Sequence, residues 1–404
     1  MDSLLLIIGA GASGLLAAWT AAHEHPDRRI LVLERMPEAG AKLARTGGGR
    51  GNLSHRATEE EFATQFGRQG RFAIPAFRSF PPQALRTRFE ELGIPTTTDP
   101  DGRIYPLSQS AVQVRDALVA ACVRAGVRFE FNHAVEHLTP PEYPDGCWRA
   151  DSFSARTVLL AGGGQSAAHL GSNGSSFALA KSLGYALTPP VPALTALHLD
   201  DPWVAMHSGL SLPDATLSLV GERKATPRSR GELLFTHRGL SGPAVLNLSG
   251  EIARRRESGA KVQLQLCLFQ ETPDLAHMRN TAGAQSVQAW LARSIPRALA
   301  STLLDIARIP PTQTFSRLTA AQGKQLIQTL TALPLTVRRT SGFEESMVTS
   351  GGVGLKQVRP DTLEGRLTPR LYFAGELLDL NGPTGGWNLQ WAFCSGHLAG
   401  RQML

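Results

Sequence analysis

The chain of 404 residues has only four cysteines, Cys122, Cys147, Cys267 and Cys394, and no two of them form a CxxC pair. That spacing excludes a disulfide scaffold and the clustered thiolates of zinc or iron–sulfur sites, and it points to a reducing compartment. Charge is also sparse, at 19% of residues; 41 Lys and Arg against 34 Asp and Glu leave a net +7. Internal repeats and low-complexity tracts are absent, and 42% hydrophobic residues describe a globular chain long enough for two or three domains. One uncharged run, Leu4 to Ala22, has the length of a membrane span or signal peptide. It is preceded by Asp2 instead of a cation, is broken by Gly9, Gly11 and Gly14, and ends in His23-Glu24-His25-Pro26-Asp27. It therefore reads as a folded element, and the chain as cytoplasmic. Several kinds of chemistry are missing too. No His, Asp or Glu cluster has metal-ligand spacing, no nucleophile elbow is present, and Asp2, Glu34 and Asp379 make no acid–base pair. His207 and His237 read as satisfied histidines of a β-rich segment.

What is present begins at the N-terminus. Leu4-Leu5-Leu6-Ile7-Ile8 is a continuous apolar run, the pattern of a strand buried on both faces of a parallel sheet. Gly9-Ala10-Gly11-Ala12-Ser13-Gly14 then fits GxGxxG and opens a helix, Leu15 to His23. A second buried strand, Ile30 to Leu33, ends at Glu34, twenty residues after Gly14. In such a βαβ unit the first glycine permits the tight turn, the second lets the backbone approach a pyrophosphate, and the third lets helix and strand pack closely. The phosphates sit on the helix N-terminus, and the carboxylate accepts from ribose hydroxyls. The pattern does not separate NAD from FAD.

Further buried strands read at Val127 to Asn132 and Thr157 to Ala161, with a helix at Ala111 to Ala125. After Pro189, Pro190 and Pro192 the character changes. From about 193 to 270 apolar runs are short and alternating, the pattern of an antiparallel sheet or small barrel. Helical spacing returns from Ser286 to Ile309 and from Thr319 to Leu333, the second opening on a Thr cap. The last sixty residues return to glycine-rich loops around a strand at Arg370 to Ala374.

Three segments resemble one family. Gly40-Ala41-Lys42-Leu43-Ala44-Arg45-Thr46-Gly47-Gly48-Gly49-Arg50-Gly51-Asn52-Leu53-Ser54 is similar to the GxKxxxSGGGRCNxT signature of the YhiN/BaiN flavoproteins. The run Gly231 to Pro243 matches their GELLFTxxGxSGP box. Tyr372 to Asp379, leading into Gly382 to Gln390, is similar to LYFAGEvlDvxGxTGGyNxQ. The resemblance implies an α/β fold: a discontinuous Rossmann-like FAD/NAD(P)-binding domain, an inserted β-barrel-like domain and a small helical subdomain. The corresponding boundaries are 1–190 with 345–404, 191–272 with 334–344, and 273–333. It further implies non-covalent FAD, hydride transfer with a small-molecule substrate, and at most transient use of NADH or NADPH as reductant. The family includes reducers of bile-acid intermediates and enzymes linked to dihydrouridine in ribosomal RNA, so the fold does not fix the substrate.

The expected cofactor contacts are Gly9, Gly11, Ala12, Ser13, Gly14 and Glu34 with Arg35; Lys42, Arg50 and Asn52 of the cationic loop; and Val135 for adenine. Ala161, Gly162 and Gly163 would lie near the dinucleotide, and Gly375, Glu376 and Asp379 beside the ribityl or pyrophosphate. Gly385 and Gly386, with Trp387, Asn388 and Leu389, would offer N–H donors at a helix start to the flavin N1/O2 edge, where charge develops on reduction. Where the family signature has Cys, this chain has Gly51, and no other cysteine replaces it, so no catalytic acid is identified. Between Gly221 and Lys261 nine cations stand against four Glu, a +5 excess that includes Arg254, Arg255 and Arg256. That excess supports an alternative reading as a dihydrouridine-forming enzyme acting on RNA, and a flavin-binding protein without catalytic turnover is a further alternative.

Overall fold

The computed structural model describes residues 4–143, 145–221 and 226–403. The chain forms two compact units, Met1–Val191 with Ser346–Leu404, and Pro192–Glu345. Of the basic window read from the sequence, Glu222, Arg223 and Lys224 lie outside the described residues, as does Asp2.

The first unit is built on a five-stranded parallel sheet in the order Leu371–Phe373, Thr157–Leu160, Leu4–Ile8, Arg29–Leu33, Arg128–Glu130. The central strands bury both faces, which is why they read as unbroken apolar runs and not as alternating ones. Leu4–Ile8 pairs with Arg29–Leu33 on one side and with the much later Thr157–Leu160 on the other. The chain thus reverses its direction of growth beside this strand, where open α/β sheets leave a crevice beyond the strand C-termini. Helix Ala12–Glu24 covers the sheet and meets the C-terminal helix Trp387–Gln402. The approach is close: a Cβ on Gly396 would come within 2.2 Å of the Ser13 carbonyl, and one on Gly400 within 2.5 Å of that of Ala17.

The second unit is a closed six-stranded antiparallel barrel in the order Leu197–Leu199, Gly239–Ser241, Arg228–Thr236, Ser211–Leu219, Val262–Cys267, Leu333–Thr340. Inward and outward residues alternate along it, as in Val262–Cys267, whose Val262, Leu264 and Leu266 are buried. The helical segment between the last two strands shares one apolar core with the barrel, Leu299, Leu303 and Leu326 lying in the same cluster as Leu217 and Leu264.

Two helical readings change. The pattern from Ser286 to Ile309 is two helices, Val287–Leu291 and Arg297–Ile306, separated at Pro296, which has no N–H to donate and displaces the preceding residue from helical geometry. A helix at Pro243–Glu257 was not expected in the β-rich stretch. Its buried Val245, Leu248, Ser249 and Ile252 do recur at helical spacing, with Pro243 in the first turn. Arg254, Arg255 and Arg256 occupy its last turn, where cations oppose the negative end of the helix dipole. Among the described residues, no helix is long and apolar enough to cross a membrane.

Candidate dinucleotide site

The glycine turn is explained by what a side chain would meet there. A Cβ on Gly9 would stand 2.7 Å from the Ala161 carbonyl, where the strands Leu4–Ile8 and Thr157–Leu160 end side by side. One on Gly14 would stand 1.9 Å from the Gly9 carbonyl. Gly11 differs: a Cβ there meets nothing within 4 Å. Gly9 and Gly14 are therefore required by protein packing, whereas Gly11 faces open space at the N-terminus of Ala12–Glu24. The N–H groups of Ala12, Ser13 and Gly14 belong to the first turn and have no helical carbonyl to reach. Together they form an anion cradle with the positive end of a helix behind it.

Glu34 stands beside this cradle, 8% exposed. Its Oε2 accepts from the Ala10 N–H at 2.7 Å and its Oε1 from the Met36 N–H at 2.9 Å. Two lone-pair positions of the carboxylate remain for ribose hydroxyls. The loop carrying Val135 lies against the same segment, with the His133 N–H donating to the Glu34 carbonyl at 2.9 Å and the Asn132 N–H to that of Met36 at 3.1 Å. Arg35 is half-buried next to it.

Ala161 closes the sheet through its N–H to the Ile8 carbonyl at 2.8 Å. A Cβ on Gly162 would strike Ser176 Oγ, and one on Gly163 would lie 2.8 Å from Ser172 Oγ. Ser172 Oγ is buried and has no hydrogen-bond partner. Its neighbour Gly171 faces Met36 and the Glu34 carboxylate, the latter 3.7 Å from an added Cβ. A buried hydroxyl left unpaired costs about 1–3 kcal/mol, so one beside the open face of a glycine cradle fits a polar ligand group. The cradle at Gly11, the carboxylate of Glu34 and the orphaned Ser172 hydroxyl thus fit FAD. Neither Ser172 nor Gly171 was read from the sequence, because an isolated Ser or Gly in a loop carries no spacing signal.

The remaining expected contacts sort into two groups. Gly375 belongs with the cradle, since a Cβ there would lie 2.6 Å from Ser13 Oγ. Lys42 Nζ pairs with Glu376 Oε2 at 2.8 Å, and Glu376 Oε1 accepts from the Thr349 N–H at 2.8 Å. Lys42 therefore balances a protein carboxylate. Asp379 is buried and accepts from Thr188 Oγ1 at 2.7 Å and Gln69 Nε2 at 3.2 Å. Arg50 is exposed, with its guanidinium carbon 5.0 Å from the centre of the Tyr105 ring.

The second group surrounds the start of the C-terminal helix. With its amide oriented to satisfy both ends, Asn52 donates to the Ser54 carbonyl at 3.1 Å and accepts from the Gly386 N–H at 3.2 Å. The Gly386 donor is thus shared with a side chain of the cationic loop. His55 stacks on Trp387 with ring centres 4.3 Å apart, and its Nδ1 donates to the Gly385 carbonyl at 3.1 Å, a role with no signal in residue spacing. The Asn388 side chain closes the loop before the helix, accepting from the Gly382 N–H at 2.8 Å and donating to the Gly382 and Pro383 carbonyls. Leu389 packs against the apolar core.

Three of the four thiols are poor proton donors. Burial pushes Cys122 up to about 12, raises Cys267, and raises Cys394 further, so none is a ready thiolate. His207 and His237 both lie in the barrel unit; His207 is buried against Thr302 Oγ1 at 3.0 Å, and burial lowers its pKa. Among the described residues no group of three His, Cys, Asp or Glu is placed to hold a metal ion.

Known proteins place the chain in a family. The model of the HI0933-like protein Rossmann domain matches residues 3–402. A 3-dehydro-bile acid delta(4,6)-reductase of Clostridium scindens is 34% identical over 98% of this chain and 97% of its own. A ribosomal RNA dihydrouridine synthase of Escherichia coli is 29% identical over 96% and 95%. In fold, the chain is similar to a 3-ketosteroid delta1-dehydrogenase of Sterolibacterium denitrificans, with a TM-score of 0.54, 13% identity and coverage of 99% and 98%. The chain belongs to the HI0933-like Rossmann family, FAD-dependent oxidoreductases of the YhiN/BaiN type.

Proposed function

We propose that the chain is a cytoplasmic FAD-dependent reductase or dehydrogenase of a small molecule with a carbonyl or a polarised double bond, with NADH or NADPH as a transient reductant. The observation that carries this reading is the cradle at Gly11, open on its ligand side and flanked by Glu34 and the unpaired Ser172 hydroxyl. The full-length likeness to a reductase that by its name acts on 3-dehydro-bile acids favours a small, largely apolar substrate.

FAD, when bound, supplies the hydride chemistry. The chain's residues do the rest. The N–H groups after Gly11 hold the diphosphate, Glu34 holds the adenosine ribose, and Ser172 donates to an oxygen of the same half. Gly375 and Ser13, with Gly385 to Leu389, border the other half. The family's cysteine is not available as proton donor, since Gly51 stands in its place, and Cys122, Cys267 and Cys394 are held protonated by burial. Bound FAD, reduced by NADH or NADPH, would supply the hydride for a double bond, and the single proton that completes the reduction would come from solvent.

The RNA reading is weaker than the sequence suggests. Arg255 Nε is paired with Glu251 Oε1 at 2.8 Å, and Arg256 donates to the Val337 carbonyl at 3.0 Å. These cations serve a helix end and its packing.

The test is flavin retention followed by anaerobic titration. The purified protein should release FAD on heat denaturation and bleach with NADH or NADPH. The bleached form should be reoxidised by an α,β-unsaturated 3-ketosteroid and not by a ribosomal RNA fragment. Glu34→Lys should cut retention strongly, because a charge-assisted bond worth about 1.5–3 kcal/mol gives way to a mismatch. Full retention in that variant would remove Glu34 from the site, and reoxidation by RNA alone would overturn the substrate class.

A further inference from the structure

Three other arginines of the barrel unit border one cavity. A cavity of about 520 Å³ is lined by Arg238, Arg338, Arg339, His198, His237 and Asp201, with apolar residues between them. It lies wholly within the barrel unit and uses none of the residues assigned to the cofactor.

Its construction comes from strand geometry. On a regular strand Arg338 and Arg339 would point to opposite faces. Along Leu333–Thr340, however, His198 is opposite Arg339 while Leu199 is opposite Val337, so the register shifts and Arg338 is the extra residue of a bulge. Bulges re-aim side chains, and here both arginines reach one cavity. Arg238 comes from the other side, in the tight connection between Arg228–Thr236 and Gly239–Ser241, with its carbonyl accepting from the Leu199 N–H at 3.0 Å.

The charges are unbalanced. Arg238, Arg338 and Arg339 are exposed, and none has a carboxylate partner among the described residues. Arg339 makes only a long bond to the Thr340 carbonyl at 3.5 Å. Asp201 lines the same cavity, but its Oδ2 accepts from the Thr336 N–H at 2.8 Å, and burial raises its pKa. His198, 7% exposed, accepts from or donates to Ser341 Oγ at 3.1 Å. Its pKa is lowered by burial and then by Arg339, Arg238 and Arg338, with Glu345 acting in the opposite sense. Three guanidiniums border one cavity against a single lining carboxylate, Asp201, with Glu345 near enough to act on His198, so the cations are in excess.

We propose that this cavity is a phosphate-binding site, in which the guanidinium forks of Arg238, Arg338 and Arg339 grip one phosphoryl group and His237 borders it. Planar forks match phosphate oxygens two at a time, which fits three arginines around one cavity better than a diffuse basic surface would. The phosphoryl group belongs either to a phosphorylated small molecule or to a nucleic-acid backbone. The site does not depend on the reaction proposed above.

The experiment uses the full-length flavin-loaded protein and three forms of it: wild type, Arg238→Gln with Arg338→Gln, and Arg293→Gln with Arg297→Gln. The last pair removes the same charge from exposed positions of the helical segment. Calorimetric titration with inorganic phosphate should show binding that weakens about tenfold or more in the first variant and is unchanged in the second. Equal affinity in all three forms, or no binding to any of them by either probe, would overturn the proposal. A fluorescein-labelled single-stranded RNA, titrated across a potassium chloride series, separates the sources. If the group is a backbone phosphate, the RNA binds wild type and the salt slope falls by about 1 per lost contact only in the pocket variant. Phosphate binding without RNA binding assigns the site to a small molecule. Unaltered thermal unfolding of the pocket variant keeps a loss of binding from being a loss of fold.

Discussion

In the sheet unit the candidate site is lined with main chain: Gly9, Gly11 and Gly14, the N–H groups of a helix start, and the turn at Ala161 to Gly163. In the barrel unit the cavity is lined with side chains, arginines and histidines drawn from positions 198, 237 to 238 and 338 to 339. The first needs residues that lack a side chain, at fixed spacing within one βαβ unit and at the end of the strand paired beside it. The second needs no spacing at all, since barrel closure and a bulge bring distant positions together. A site made of backbone is thus rigid and written locally, and a site made of side chains is assembled by topology.

The strongest way to break this contrast is inside the glycine turn. Gly14→Ala puts a Cβ 1.9 Å from the Gly9 carbonyl and should destabilise the sheet unit by about 3 kcal/mol, as overpacking against backbone does. Gly11→Ala adds a Cβ to open space and should leave unfolding within about 0.5 kcal/mol of wild type, as changes that touch nothing do, while flavin content falls. Denaturant curves on the flavin-free forms, read beside flavin content, decide it. If Gly11→Ala keeps its full flavin, the open space at that glycine is not a ligand's place.

The same contrast explains what was legible in the sequence. Four of the parallel strands announced themselves as uninterrupted apolar runs, and Glu34 because the motif fixes its distance from Gly14; Arg128–Glu130, expected to be buried, is instead an edge strand with Arg128 and Glu130 exposed. The barrel was legible as alternation, but its closure was not. Helix Pro243–Glu257 went unread because its apolar positions sit among strands of similar composition. The Ser172 hydroxyl and the Arg238, Arg338 and Arg339 cluster left no trace, since contact across more than a hundred residues has no period. The basic run Arg254 to Arg256 suggested a surface by adjacency in sequence, and two of its charges are used locally, Arg255 by Glu251 and Arg256 by the Val337 carbonyl.

A second test concerns a half-buried histidine of the sheet unit. His397 stacks on Phe80 with ring centres 4.6 Å apart and meets Thr20 Oγ1 at 3.1 Å. Burial, helped by Arg401 and Arg88, lowers its pKa from 6.5 to about 4. A depressed folded value means that the neutral ring stabilises the fold above the unfolded pKa of 6.5. That stability is lost as pH falls from there toward 4. Each pH unit of separation is worth about 1.4 kcal/mol, and partial exposure of the ring brings the loss to about 2–3 kcal/mol at pH 4. His397→Gln should flatten this part of the stability profile. An unchanged profile in the variant would mean that other groups carry the acid sensitivity.

Gly51 offers a smaller effect that bears on chemistry. Its φ is +75°, and a Cβ there would lie 3.2 Å from the Ala111 Cα. Gly51→Cys, which restores the residue of the family signature, should cost about 1–2 kcal/mol in urea unfolding through the left-handed backbone. A variant as stable as wild type would show that the loop relaxes readily and that the absent thiol reflects chemistry and not space.

The smallest effect separates paired from unpaired cations within the barrel unit. Arg255 and Glu251 stand one helical turn apart, with side chains 22% and 37% exposed. Exposed pairs of this spacing contribute about 0.3–0.5 kcal/mol, and salt screens them. Arg255→Gln should therefore lower stability by that small amount in dilute buffer and by less at high salt. Removal of an arginine that faces like charges acts in the other direction, because it relieves repulsion among Arg238, Arg338 and Arg339 in the unliganded barrel. Arg338→Gln should leave stability unchanged or raise it slightly, most at low salt. The two variants carry the same change of charge, so only the local field differs between them. If both lowered stability equally, the three cavity arginines would be paired in solution, and the distinction between spent and available cations would fail.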